Sequence, residues 1–386
     1  MSFEIRPITD DEVEQAEAMV AYAFNNPERR DLAPSVERAR RFYSTDWSLA
    51  SFEDGAMTAF VRTIPFAMRI DGRGLSFGAI GPVVSSPEHR RKGHVGAVLR
   101  RSLEVMRERG QVISGLHTPH PTLYQRYGWE IASAQRVYRF APKDVTLKAQ
   151  PSERGRFRML SPDDWSQADR VYRHHSAKRN GPLHRGEVWW REAIYRTTGY
   201  VVYHQPTQPD SERGAFWVRE LVALTTDAYL NLILYLLRHD LPPEIRWNAP
   251  PDDPFYSLVD DASKVRVVSE YDVMLRVNDV ERALTSRAFP AHLDASLTLE
   301  IADASAPWNE GLWRIEVTGG TARVEGTSGE ADLSLSATTL APVFNGYLSP
   351  SAAALAGRAR ARNEEALARA DALFAPLHSP FCSDGF

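Results

Sequence analysis

A stretch near the start of this chain returns 152 residues later. Ile5-Arg6-Pro7-Ile8-Thr9-Asp10-Asp11-Glu12 lies over Phe157-Arg158-Met159-Leu160-Ser161-Pro162-Asp163-Asp164, and Gln15-Ala16-Glu17 lies over Gln167-Ala168-Asp169. In both copies an apolar run reads as a strand. A Thr or Ser followed three positions on by an acidic residue reads as a capping box, and a helix begins behind it. Such a repeat restricts the fold to two related units in tandem. Residues 221–238 support it, because Leu221-Val222-Ala223-Leu224 reads as a strand that runs through Thr225-Thr226 straight into a helix.

The first copy carries a feature that the second lacks. Val83-Val84-Ser85 ends an apolar run, Arg90-Arg91-Lys92-Gly93 forms a short basic turn, and a helix opens at His94. Val95, Val98, Leu99, Leu103 and Met106 give its apolar stripe, and Gly110 ends it. Backbone N–H groups, a helix N-terminus and guanidinium charge meet at one point, which suits a pyrophosphate. Around this unit the reading is a strand at 3–8, helices from Val13 and at 34–46, and a strand meander at 49–84. Asp54-Gly55 and Asp71-Gly72 mark its hairpins. A strand at 112–116, a helical turn at Leu123-Tyr124 stopped near Gly128, and a strand at 130–140 complete the first unit.

From residue 276 the texture changes to short alternating strands at 296–301, 312–317 and 322–324, with Gly319-Gly320 as a hairpin. Leu333 and Leu335 give another strand, and helices follow at 338–345, 350–358 and 363–375. Ala352–354 and 359–361 read as small-residue helix faces. Pro307-Trp308-Asn309-Glu310-Gly311 reads as a structural turn.

Composition narrows the function. The net charge of −4 makes the basic turn a local feature and excludes a nucleic-acid-binding surface. No apolar run reaches the roughly 20 residues that span a bilayer, and the N-terminal segment has no signal-peptide core. The single cysteine, Cys382, excludes an internal disulfide and a cysteine-based zinc site. His117 and His120 have metal-like spacing but no carboxylate nearby in sequence, so no metal is expected. A cytoplasmic protein is the expectation.

With these residues in view, 83–96 resembles the acetyl-CoA-binding motif of the GCN5-related N-acetyltransferases, [Arg/Gln]-x-x-Gly-x-[Gly/Ala], with Arg90, Gly93 and Val95 at its positions. The whole chain is similar to the Eis-like (enhanced intracellular survival) subfamily, which often has a bulkier residue where Val95 sits. Leu123-Tyr124-Gln125-Arg126-Tyr127-Gly128 and the ending Pro380-Phe381-Cys382-Ser383-Asp384-Gly385-Phe386 carry the likeness further. The implied fold class is mixed α+β and α/β: an N-terminal acetyltransferase domain over 1–145, a degenerate copy over 146–275, and a sterol-carrier-like α+β domain over 276–386.

The resemblance implies an acetyl-CoA-dependent N-acetyltransferase acting on a small-molecule primary amine, with aminoglycosides and lysine side chains as the family's acceptors and a homohexamer as its assembly. Val83, Val84, Ser85, Arg91, Lys92, Gly93, His94, Val95, Gly96, Pro119 and His120 are the expected cofactor-binding residues. Tyr124 is the expected general acid, with Tyr127 its neighbouring rival. The α-carboxylate of Phe386 is the expected base, and His117, Phe24 and Asn25 are placed at the substrate. The run Phe24-Asn25-Asn26-Pro27-Glu28-Arg29-Arg30 is mixed and partly basic, whereas a polycation needs acidic walls. The competing readings are a non-catalytic coenzyme A or lipid binder and an oligomeric scaffold.

Overall fold

A computed structural model describes residues 3–24, 31–154, 156–195 and 215–386. β1 (Glu4–Pro7) passes through the Thr9–Glu12 capping box into α1 (Val13–Ala23), and α2 (Ala33–Phe42) packs beside it. β2 (Ser48–Glu53), β3 (Ala56–Ile70) and β4 (Arg73–Ser85) form an antiparallel meander. Asp54, Gly55, Asp71 and Gly72 all have positive φ, from 46° to 81°. That backbone gives the right-twisted two-residue hairpin, which explains the two Asp-Gly pairs. α3 (His94–Glu108), β5 (Ile113–Leu116), α4 (Pro121–Gln125), β6 (Glu130–Ile131) and β7 (Ala134–Phe140) follow.

The second copy reproduces the cap of the first. Ser161 and Asp164 form a capping box ahead of α5 (Trp165–Ser176). Arg158 reaches Asp164 at 3.2 Å as Arg6 reaches Glu12 at 2.7 Å. The strand expected at 157–160 does not form, and 221–224 is irregular chain; the strand lies earlier, at β8 (Ala215–Val218). Phe216 and Val218 are buried there, while Glu220 is drawn out of the sheet to Arg185, with both contacts at 2.9 Å. The expected helix does start at Thr225, whose side chain caps the helix Thr226–Leu237. β9 (Glu244–Ala249), β10 (Arg266–Tyr271) and β11 (Met274–Val277) complete this part.

The two halves exchange strands. The first sheet runs β1-β2-β3-β4-β5-β11-β6, and the second runs β10-β7-β9-β8. The single strand expected at 130–140 is therefore split: β6 stays in the first sheet and β7 enters the second. The sheets thus cross the divisions expected in the chain near 145 and 275.

A third sheet, of β12 (Ala295–Ala302), β13 (Gly311–Thr318), β14 (Thr321–Gly326), β15 (Leu333–Ser336) and β16 (Ala359–Ala361), has the order β14-β13-β12-β15-β16. Residues 359–361, expected on a helix face, are this edge strand. Gly357 at φ 70° ends the preceding helix, and exposed Arg360 alternates with half-buried Ala359 and Ala361. Helices Ala337–Phe344, Pro350–Leu355 and Glu364–Phe374 accompany the sheet. Phe77 and Leu275 of the first sheet share one core with Leu297, Ile315 and Phe344 of the third part. Two ion pairs of buried arginines tie these parts, Arg276 with buried Asp303 at 2.7 Å and Arg287 with half-buried Asp71 at 2.6 Å. Trp308 donates to the Asn278 carbonyl at 2.8 Å, so the 307–311 segment is the structural turn expected. Among the described residues no helix is long and apolar enough to cross a membrane.

Candidate active site

The site begins where two parallel strands part. β4 and β5 pair only from Phe77–Ile113 to Ala79–Gly115. On its other side β5 pairs with β11 along its whole length, from Ile113–Val277 to Leu116–Met274, while β4 bulges at Gly81-Pro82 and shifts its register against β3. Pro82 has no N–H with which to continue a ladder. A cavity of about 1040 Å³ opens at this fork. Val83, Val84 and Ser85 line it from β4, His117, Pro119 and His120 from the segment after β5, and Tyr124 from α4.

The basic turn stands at the same cavity through Arg90 and Val95. Arg91 at φ 65° and Gly93 at φ 91° bend the chain into α3, whose N-terminus has no side-chain cap. Its first N–H groups are thus left for another acceptor. A Cβ on Gly93 would meet nothing within 4 Å, so the backbone is open to close approach. This arrangement fits a diphosphate. Arg91, Lys92, Gly93, His94 and Gly96 are not among the residues that line the cavity, and the role expected of them is one of backbone N–H groups. His94 is buried, with Nδ1 3.0 Å from the Thr58 hydroxyl, and burial lowers its pKa. Glu53 draws His89 to 2.9 Å, His94 to 3.7 Å and Lys92 to 3.8 Å. Donor atoms of Glu53, His89 and His94 lie within 4.8 Å of one another, a grouping the sequence did not suggest. We read it as the anchor of the turn, since the Lys92 ammonium shares its carboxylate. A Cβ on Gly96 would run into the Tyr127 hydroxyl, so this glycine makes room for packing.

Packing also separates the two tyrosines. The Tyr127 hydroxyl is turned to α3, whereas Tyr124 lines the cavity, with its ring edge-on to Trp129 at 6.5 Å. Burial pushes the Tyr124 phenol up to about 12, so it keeps its proton at neutral pH.

The last residues run across the second part into the fork. The Phe381 N–H donates to the Asn180 carbonyl at 2.9 Å, and Cys382 is packed, 3% exposed. Asp384, fully buried, receives Arg185 at 2.8 Å and the hydroxyl of Tyr172 at 3.2 Å. Arg185 also pairs with Glu220, which accepts from Ser383. Removing one member of such a buried charge group strands the others, which fixes the tail firmly. Beyond it, the Phe386 ring meets Phe77 edge-on at 5.6 Å and His117 at 4.7 Å. Its carboxyl lies against Gly81, 3.4 Å from where a Cβ would stand. His117 bonds the Asp384 carbonyl through Nε2 at 3.0 Å and Asp272 through Nδ1 at 3.1 Å.

Phe24 lines the cavity, while Asn25 lies outside the described residues. Sequence reasoning missed Arg38, Tyr43, Arg62 and Trp189, all on the cavity wall. Trp189 reads as core or interface in the sequence, and no local motif marks the other three. Arg62 is paired with Glu17 at 2.9 Å and stacked on Tyr43 at 4.4 Å, contacts between residues far apart in the chain.

Comparison with known proteins gives the same layout. Residues 4–132 and 163–277 each match a family described as acetyltransferase (GNAT) domain, and residues 280–383 match the sterol carrier protein domain. The chain is 29% identical to an uncharacterized N-acetyltransferase of Streptomyces griseus, covering 100% of both. It is 26% identical to the N-acetyltransferase Eis of Mycobacterium tuberculosis, covering 83% of this chain and 82% of that one. Among solved structures, Eis1 from Mycobacterium abscessus has the same fold, with a TM-score of 0.81 at 24% identity, over 99% of this chain and 100% of that one. A probable N-acyltransferase from Enterococcus faecalis also shares the fold, with a TM-score of 0.87 at 22% identity over 100% of both.

Proposed function

We propose that this chain, with its two acetyltransferase (GNAT) domain matches and its Eis relatives, is an Eis-like GCN5-related N-acetyltransferase that transfers acetyl groups to amines, that its donor is acetyl-CoA, and that Tyr124 and the Phe386 carboxylate serve the transfer. Acetyl-CoA supplies a thioester with a diphosphate at its far end. Amides at the turn around Gly93 and the start of α3 hold the diphosphate, and Arg90 adds charge. The end of β4, Val83–85, offers free backbone groups to the pantetheine arm as an added strand would, and an N–H there polarises the acetyl carbonyl.

The acceptor amine attacks that carbonyl carbon. The new C–N bond forms, the C–S bond breaks, the Tyr124 hydroxyl gives its proton to the departing thiolate, and the proton that the nitrogen sheds as it becomes an amide restores the phenol. The Phe386 carboxylate holds the incoming ammonium by charge and takes its proton through water. A chain-terminal carboxyl ordinarily titrates at about 3.3–3.7 and is a weak base, so placement is the larger part of its role. His117 orients the tail. The family likeness further implies a homohexamer and a cytoplasmic location.

One observation carries the reading: the Phe386 carboxyl lies against Gly81, in the cavity that Tyr124 lines. The test is thiol release from acetyl-CoA across a panel of amines. Tyr124→Phe is expected to lower kcat by about 10²–10⁴-fold, the usual worth of a positioned acid. Extra residues after Phe386 are expected to lower kcat while acetyl-CoA affinity, measured by calorimetry, holds. Equal turnover in the extended chain would remove the carboxylate from the mechanism.

A further inference from the structure

A second chamber of about 430 Å³ adjoins the first, sharing Arg38, Tyr43, Ile64, Trp189 and Ala193 with it. This volume is in the range of small-molecule pockets, about 300–1,000 Å³. Its walls are aromatic. Phe42, Tyr43, Trp47, Phe66 and Trp189 contribute, with Trp189 and Phe66 edge-on at 4.8 Å. Phe66 is also 6.5 Å from the Phe386 ring, so the chamber leads from the terminal residue.

The charges on its wall are few. Glu192 lies 3.9 Å from Arg41, which offsets it. Arg38 is different. Its guanidinium makes no ion pair or hydrogen bond among the described residues, and its Nε is buried without a partner. The nearby Arg62 already has Glu17. A buried donor left unmatched in the protein costs free energy unless a ligand supplies the acceptor.

We propose that this chamber selects the acceptor: an amine with an aromatic body that also bears a carboxylate, the ring among Trp47, Phe66 and Trp189, the carboxylate on Arg38, and the amine toward Phe386. This rests on the acetyl-transfer reading above. The product is an N-acetylated aromatic amino acid or a close analogue, and free coenzyme A leaves as the thiol. A polycation finds only Glu192 and the terminal carboxyl as acidic groups among the described lining residues.

The test uses the full chain with acetyl-CoA and three acceptors: tryptophan, tryptamine and kanamycin. Tryptophan is expected to give the highest kcat/KM. Arg38→Gln is expected to cut the preference for tryptophan over tryptamine by about tenfold, the scale of one charge-assisted bond. Arg38→Lys should restore part of it. Acetyl-CoA binding by calorimetry, measured on each variant, separates a folding defect from lost recognition. Kanamycin outrunning both aromatic amines, no turnover of either, or a preference unchanged in properly folded Arg38→Gln would overturn the inference and leave the acetyl-CoA reading standing. Failure of the parent chain to bind acetyl-CoA would overturn both.

Discussion

His117 faces an acceptor at each ring nitrogen, the Asp272 carboxylate and the Asp384 carbonyl. Both bonds require the doubly protonated ring. Burial pulls its pKa down, but the bond to Asp272, its charge, and the Asp384 contacts outweigh burial and leave the value raised. The folded state therefore holds this proton more tightly than the unfolded chain. Its stabilisation is full below the unfolded pKa of about 6.5 and fades as pH rises through the higher folded value. Thermal melts from about pH 6 to pH 9 should show a decline that His117→Gln flattens; an unchanged slope would mean that another group titrates there. Tyr124 is the contrasting case. Its phenol is raised by burial alone and stays protonated over this range.

At the scale of elements, α4 shows how tightly the tail-bearing side of the site is held. Gly128, at φ 90°, ends the segment after α4, and a Cβ there would run into the guanidinium of Arg276. Arg276 cannot yield, because it is fully buried and held by both oxygens of Asp303. Gly128→Ala is expected to cost about 2–5 kcal/mol, from the left-handed backbone and the overlap together. Gly110→Ala, at φ 71° with open space around it, should cost about 1–2 kcal/mol. Urea midpoints of the two variants compare these directly, and equal shifts would count against the overlap. Elements with a local cause were legible in the sequence. The Asp-Gly hairpins, the two capping boxes and the glycine that opens α3 all depend on near neighbours. What stayed hidden depends on distant ones. Residues 221–224 look like a strand until Glu220 finds Arg185, and the 359–361 alanines look helical until β15 offers an edge. Within the site, the turn was readable for the same reason, Tyr124 was set apart from Tyr127 only by the family resemblance, and Arg38 and Trp189 become functional candidates only by sharing a wall.

At the scale of the molecule, the exchange of β7 and β11 makes the two acetyltransferase-like parts one object. β5 has β11 as its outer neighbour, and β7 has both of its partners, β9 and β10, in the other half. A fragment of residues 1–145 is expected to show no cooperative melt in calorimetry, whereas coexpression with 146–386 should recover a soluble complex. A sharp transition in the isolated fragment would show that its sheet closes without β11. The same exchange shapes biosynthesis. The edge of β5 leaves the ribosome long before residues 274–277 do, and at roughly 5–20 residues per second the delay is on the order of ten seconds. For that interval a nascent chain presents a bare strand edge, and the neighbouring copies on the same messenger RNA present the identical one. Translation speed across the intervening segment thus sets how long mispairing competes with the native partner.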